Sequence, residues 1–324
     1  MRPTRRGAGV LGIAVGATVV STRFGQPGLA AIAAPLFVAF LGAAVQVSLS
    51  GLPTVERSSL RRGFAGESRT LELTATGSGI ARLTDQRAEA VGGPATARCS
   101  LPATLSFEVP YERRGEHELG PVEVTVTDSL GLVVTSGTVD ATDTVLVFPP
   151  VSRLGGPEAF LRAFTPDSEA RETFDRLREY TPGDSLRDIH WKSSAKRDDL
   201  FVTEFDDDSE DRELLVAGRA KPGHADAMAA AAATVAVGAL RSGFAVELAV
   251  PGGTVPAGYG DRQQTRLLEA LARTGGGRSD REGEADILVS ATDGGVVVHV
   301  DGRTESFDDL TAGRENPLVS EVGA

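Results

Sequence analysis

At 324 residues with 41% hydrophobic content, the chain can bury cores for two modest domains, which excludes a wholly disordered protein. The formal charge is −12, and Arg2, Arg5, Arg6 and Arg23 meet no acid before residue 50, so the remainder is more acidic still; this argues against a nucleic-acid partner, which needs a basic face. The single Cys99 excludes an intramolecular disulfide and a multi-cysteine metal cluster, and fits a reducing compartment. Basic residues are nearly all Arg, and acids come in runs such as Asp206-Asp207-Asp208, a pattern suited to concentrated salt and expected of a salt-adapted archaeon.

Residues 7–22 and 29–49 carry no charge and are separated by RFGQPG, whose Pro27 and Gly28 favour a tight turn. The pattern predicts a two-helix transmembrane hairpin over 1–50. The second run matches the ~20 apolar residues of a spanning helix; the first is shorter and Gly-rich. Arg2, Arg5 and Arg6 flank one end and Arg57, Arg61 and Arg62 the other, with Arg23 in the loop, so the positive-inside rule places both termini in the cytoplasm. The rival is a twin-arginine leader built on Arg5-Arg6, but no small-x-small cleavage site stands near residue 22. Even a cut leader would leave the second run as a stop-transfer helix. The expectation is a multi-pass cell-membrane protein with cytoplasmic soluble domains.

Residues 51–150 hold short β-rich runs, RTLELTATGS, ATLSFEVPYE, VEVTVTDSLGLVVTSG and TVLVFP, bounded by Gly, Pro and Asp. Alternation from Val122 to Thr127 marks a half-buried strand, and a small antiparallel β-sandwich is the simplest architecture. Arg113-Arg114-Gly115 and Asp128-Ser129-Leu130-Gly131 read as turns, with Gly supplying positive φ and Asp capping its own backbone.

A linker and a distinctive block follow over 151–212. The stretch REYTPGDSLRDIHWKSSAKRDDLFVTEF holds the only Trp and two of the three lysines. Pro182-Gly183 fits a type II turn, Asp184 stands at an N-cap position, and a short helix and a strand from Leu200 follow. Over 213–301, ELLVAG, HADAMAAAAATVAVGALRSG, AVELAVPGG, DRQQTRLLEALARTGG and ADILVSATDGGVVVHVDG alternate strand and helix, which predicts a small parallel α/β layer; 302–324 is left as a C-terminal tail.

Arg178, Tyr180, Gly183, Asp184, Arg187, Ile189, Trp191, Ser194, Ala195, Leu200 and Glu204 together resemble the signature of the domain of unknown function 58 family, R-x-Y-x-x-G-D-x-x-R-x-I-x-W-x-x-S-A followed by a leucine-led strand ending in Glu. Upstream, RRGEHELGPVEVTVTDSLGLV resembles the same family's RG-x-Y-x-LGP…D-x-x-GL element, with His117 at the usual aromatic place. The resemblance implies a membrane-tethered protein with a β-domain and a von Willebrand factor A-like α/β domain, paired with a MoxR-type AAA+ ATPase and acting by binding rather than catalysis. The expected fold class is thus membrane-anchored α+β: hairpin, β-sandwich and a reduced α/β domain.

Two roles are open for the block. Trp191, Ile189 and Tyr180 would pack a junction between domains, with Asp184, Arg187 and Glu204 as a charge-assisted network. The sharper alternative is a docking surface for the ATPase, adding His190, Lys192 and Ser194.

The metal loop that von Willebrand A-like domains carry, D-x-S-x-S, has Ala217-Gly218-Arg219-Ala220-Lys221 at its place, with two cations where a divalent ion needs anions. No metal or other cofactor is expected, and Asp293 in the ATDGG loop cannot rebuild the site alone. Neither a phosphate-binding Gly-Lys loop, a nucleophile elbow nor a dinucleotide fingerprint is present, and His117, His190, His224 and His299 are scattered. Two further readings stand behind the interaction protein: a metal-dependent ligand-binding or adhesion module, and a hydrolase using Asp184, His190 and Glu204.

Overall fold

The computed structural model describes residues 1–154, 177–179, 201–203 and 213–311. The chain divides into two units, Met1–Val147 and Phe148–Ala324.

In the first unit, α1 (Arg5–Phe24) and α2 (Pro27–Ser50) pack as a hairpin, each longer than the uncharged run that predicts it. The Thr4 hydroxyl caps α1 by accepting from the Gly7 amide at 3.0 Å, Gly25 ends it in the left-handed conformation, and Pro27 opens α2 where no amide donor is needed. Both helices are long and apolar enough to cross a bilayer, and side chains such as Phe24, Val38 and Leu41 face outward.

The β part comprises β1 (Arg2–Pro3), β2 (Thr54–Arg57), β3 (Gly63–Phe64), β4 (Ser68–Arg87), β5 (Ala95–Pro110), β6 (Gly115–Thr127), β7 (Val133–Val139) and β8 (Asp143–Phe148) in one eight-stranded sheet. Antiparallel pairing holds as expected, but the faces of the anticipated sandwich are one continuous ladder. Strand β4 pairs β5 along its length while its other edge passes from β2 at Leu73–Thr76 to β6 at Ile80–Arg87. Strand β6 passes likewise from β8 to β7. Glycines permit the bends: Gly79 (φ 100°) stands at the register shift of β4, and Gly120 (φ 83°) lies where a Cβ would come within 2.5 Å of the Ala141 carbonyl oxygen. Leu71, Leu73, Leu83, Tyr111, Leu119 and Val124 fill a core inside this ladder.

In the second unit, the backbones of β9 (Leu177–Glu179) and β10 (Phe201–Thr203) pair antiparallel. A six-stranded sheet follows, built from β11 (Glu213–Ala220), β12 (Ala245–Val250), β13 (Gly253–Val255), β14 (Ile287–Thr292), β15 (Gly295–Val300) and β16 (Arg303–Ser306), in the order β13-β12-β11-β14-β15-β16. The expected parallel layer is confined to β12, β11 and β14; the other pairings are antiparallel, so the sheet is mixed. The cause is local turn chemistry. Asp293-Gly294 and Asp301-Gly302 are two-residue connections, and the latter has positive φ at both residues as a type I′ turn requires. The sheet therefore runs past residue 301, where the domain was expected to end.

Helix α3 (Ala225–Arg241) lies across β11, β12 and β14 and packs on α4 (Gly260–Arg273). Its alanines and valines are buried almost all round, as an Ala-rich helix without a polar stripe must be. Gly218 makes the close approach possible, since a Cβ there would meet the Met228 Sδ at 2.5 Å.

Candidate functional site

Of the signature residues, Arg178 lies in β9, with its backbone paired to Val202, so the two flanks of the block meet as neighbouring strands. Tyr180, Gly183, Asp184, Arg187, His190, Trp191, Lys192, Ser194 and Glu204 lie outside the described residues, as does the Asp184, His190 and Glu204 set of the hydrolase reading.

In the α/β unit, the chain leaves β11 for β12 on one side and later returns to β14 on the other. The carboxyl end of β11 is therefore the switch point at which such sheets hold ligands. Here Lys221 Nζ donates to Asp293 Oδ2 at 2.9 Å, and His224 Nε2 lies 3.1 Å from Asp293 Oδ1. The Lys221 and His224 hydrogen bonds hold the Asp293 carboxyl below the usual carboxylate range. On the β12 side, Ala220 and Gly277 exchange backbone hydrogen bonds of 2.9 and 2.8 Å. Asp293 thus joins the end of the 217–221 stretch, with a lysine ammonium as its counter-charge. Among the described residues, no three His, Cys, Asp or Glu side chains converge as metal ligands. Arg219 points elsewhere, its Nε donating to Ser290 Oγ at 3.0 Å.

In the β-unit, the upstream element forms the two turns expected of it, and one has a second role. Asp128 is almost fully buried and accepts the amides of Leu130, Leu132 and Val133 at 2.8, 2.7 and 2.6 Å. The loop so shaped is held by the helices: Thr4 donates its amide to the Leu132 carbonyl at 2.9 Å and its hydroxyl to the Gly131 carbonyl at 2.6 Å. A Cβ on Gly7 would lie 2.0 Å from the Leu132 oxygen, so only glycine fits there. Ala43 and Val47 pack on Leu132 and Val133 beneath. His117 Nε2 lies 2.8 Å from the Arg113 carbonyl oxygen and bridges the other turn.

A buried ionic group escapes hydropathy reading altogether. Asp85 binds Arg57 through both carboxylate oxygens and lies 3.5 Å from Arg87 Nε, all three side chains being nearly inaccessible. Arg57 Nε also donates to the Ala141 carbonyl at 2.8 Å, and burial pulls the Arg87 pKa down against the opposing pull of Asp85. The only sequence signal is parity: Ala81, Leu83, Asp85 and Arg87 share the inward face of β4.

Residues 176–299, from β9 through most of β15, match the family described as "Protein of unknown function DUF58". The Bacillus subtilis (strain 168) protein described as "Uncharacterized protein YeaD" is 26% identical over 179 residues, which are 52% of this chain and 45% of that protein. The chain thus spans about half the length of the curated relative it matches. Among solved structures, the PKD domain of an M14-like peptidase from Thermoplasmatales archaeon SCGC AB-540-F20 has a TM-score of 0.23 at 12% identity, covering 30% of this chain and 97% of that one. The CARDB domain of the PF1109 protein from Pyrococcus furiosus has a TM-score of 0.20 at 16% identity, covering 29% and 96%. Neither likeness bears on activity.

Proposed function

We propose that this chain is a membrane-anchored, non-enzymatic interaction protein whose signature block and reduced von Willebrand factor A-like unit engage a cytoplasmic MoxR-type AAA+ ATPase. The observation that carries the reading is the Lys221–Asp293–His224 group at the switch point of the α/β sheet. Where a ligand-using domain of this topology presents free carboxylates or a phosphate cradle, this one spends its carboxylate on an internal ammonium and pairs Gly277 against the strand end. That leaves recognition through the surface as the better supported use of the unit. An adhesion module would need acidic ligands between 217 and 221, where Arg219 and Lys221 stand.

The anchor is the pair of apolar helices, whose outward faces carry Ile13, Val19, Ile32, Val38 and Leu41. Both helix ends near the sheet are bonded to it, through Thr4 and Gln46, so the β-unit sits directly on the anchor.

The test is a cross-linked pull-down of the full chain from native membranes, comparing the unaltered protein with Arg187→Glu and Lys221→Glu. Capture of an AAA+ ATPase that Arg187→Glu abolishes, with the α/β unit still folded by circular dichroism, is the expected result. An unaltered protein that brings down no AAA+ ATPase sinks the proposal.

A further inference from the structure

The outer face of the β4–β5–β6 ladder breaks a rule that strand pairs ordinarily keep. Arg82 and Arg98 are direct cross-strand partners, so both side chains leave the same face; Thr125 of β6 flanks Arg82 on its other edge. Like charges placed directly opposite destabilise a strand pair. Both arginines are exposed, and among the described residues neither holds a carboxylate, in a chain where acids outnumber bases 45 to 33. By contrast Arg57, Arg69, Arg219, Arg278 and Arg281 each have one. Glu123 stands one pair further along, opposite Thr84, and bonds neither arginine.

Arg82 and Arg98, with Ile80, Ala81, Thr125 and Thr127, line a shallow depression of about 210 Å³. Hydroxyl pairs border it: Thr84 and Thr96 at 3.0 Å, Thr125 and Ser136 at 3.2 Å. The volume is several times the ~30 Å³ share of one liquid water, enough for a tetrahedral oxyanion with its solvent.

We propose that Arg82 and Arg98 form a binding site for a phosphate monoester group. The guanidinium fork matches paired oxyanion oxygens, and each side chain offers five N–H donors that no carboxylate occupies. Charge selects the monoester: at neutral pH it carries about −1.5 to −2, which offsets both cations, whereas a carboxylate or a phosphodiester leaves one uncompensated. Two sources carry that chemistry, a soluble phosphate ester and a monoester lipid headgroup. The second is in range because Ser78, hydrogen-bonded at 2.9 Å to Ser50 at the end of α2, lies only four strand residues from Arg82, about 13 Å at 3.3 Å per residue. The site itself is independent of whether the helices span.

The experiment is calorimetric titration of inorganic phosphate into the full-length protein in phosphatidylcholine nanodiscs at low ionic strength, with thermal unfolding measured alongside. Saturable binding by the unaltered protein, weakened tenfold or more in Arg82→Thr and Arg98→Thr, is expected. Without phosphate, both variants should unfold at higher temperature, because the repulsion is gone. The proposal is overturned if the unaltered protein shows no saturable binding, if the variants bind as well, or if Arg98→Thr lowers the phosphate-free unfolding temperature. Given saturable binding, phosphatidic acid in the disc that competes with phosphate identifies the headgroup as the source; absence of competition identifies a soluble ester.

Discussion

Gln46, near the end of α2, accepts a hydrogen bond from the Ser129 hydroxyl at 2.9 Å, which fastens the Asp128 turn of the sheet to the apolar hairpin. Asp128 is the keystone of that joint, because its carboxylate organises the loop that both helices grip. Asp128→Ala should cost about 3 kcal/mol, since charge-assisted hydrogen bonds contribute roughly 1.5–3 kcal/mol each and losses within one turn are not additive. Hydrogen exchange reads it directly: the Leu132 and Val133 amides should lose protection while those of the β11 strand keep theirs. Unchanged protection at both positions would show that the turn holds without the carboxylate.

The buried ionic group predicts an ordering of two variants. Asp85→Asn strands two arginines in the core and should cost about 3–5 kcal/mol, the range for breaking a buried pair from one side. Arg57→Met leaves Asp85 with Arg87 at 3.5 Å and should cost clearly less. Denaturant unfolding of both variants checks the order, and the reverse order would refute the role given to Asp85.

Tyr111 is fully buried, its hydroxyl donates to the Arg61 carbonyl at 2.8 Å, and burial pushes its pKa up from 10 to about 12. A raised folded-state pKa means that the neutral phenol contributes stability fully present below pH 10, lost as pH rises from 10 towards 12. Tyr111→Phe should remove about 1 kcal/mol at neutral pH, the usual net value of one hydrogen bond. It should also flatten the alkaline fall in unfolding temperature; an unchanged alkaline fall would assign it to other groups.

Asp293 titrates below the usual carboxylate range because Lys221 and His224 bond it, so its contribution has the opposite sense. It is present above the ordinary aspartate pKa and disappears as pH falls through the depressed value. In Lys221→Met the carboxyl should titrate closer to its ordinary value, as followed by carbon NMR of the side chain. A titration curve that does not move would mean that the lysine is not the effective partner.

Much of this architecture is legible in residue order because the responsible signals are local. Uncharged runs and a Pro-Gly break mark the hairpin, Gly243 ends α3, and Leu267, Leu268 and Leu271 place the buried face of α4. Strands β2, the second half of β4 and the first half of β5 escape such reading. Their inward positions offer Val55 alone in the short β2, interrupt Ala81 and Leu83 with Asp85 and Arg87 in β4, and carry half-buried small residues such as Ala97 and Cys99 in β5, so the apolar alternation is too short or broken to read. The hairpin of β14 and β15 was signalled by Asp293-Gly294, but the alternation of strand and helix before it suggested a further parallel strand. The Lys221–Asp293 pair joins positions 72 residues apart, a distance that composition and spacing do not bridge.

Arg2 and Pro3 pair with Val134 and Val133 at the edge of the sheet, while α2 returns its far end to the same sheet through Ser50 and Ser78. The pairing thus closes a loop of about 130 residues that holds both helices and most of the sheet. A bilayer around the two helices would accordingly have the opening segment and the β-unit in one compartment, however the surrounding charges were redistributed.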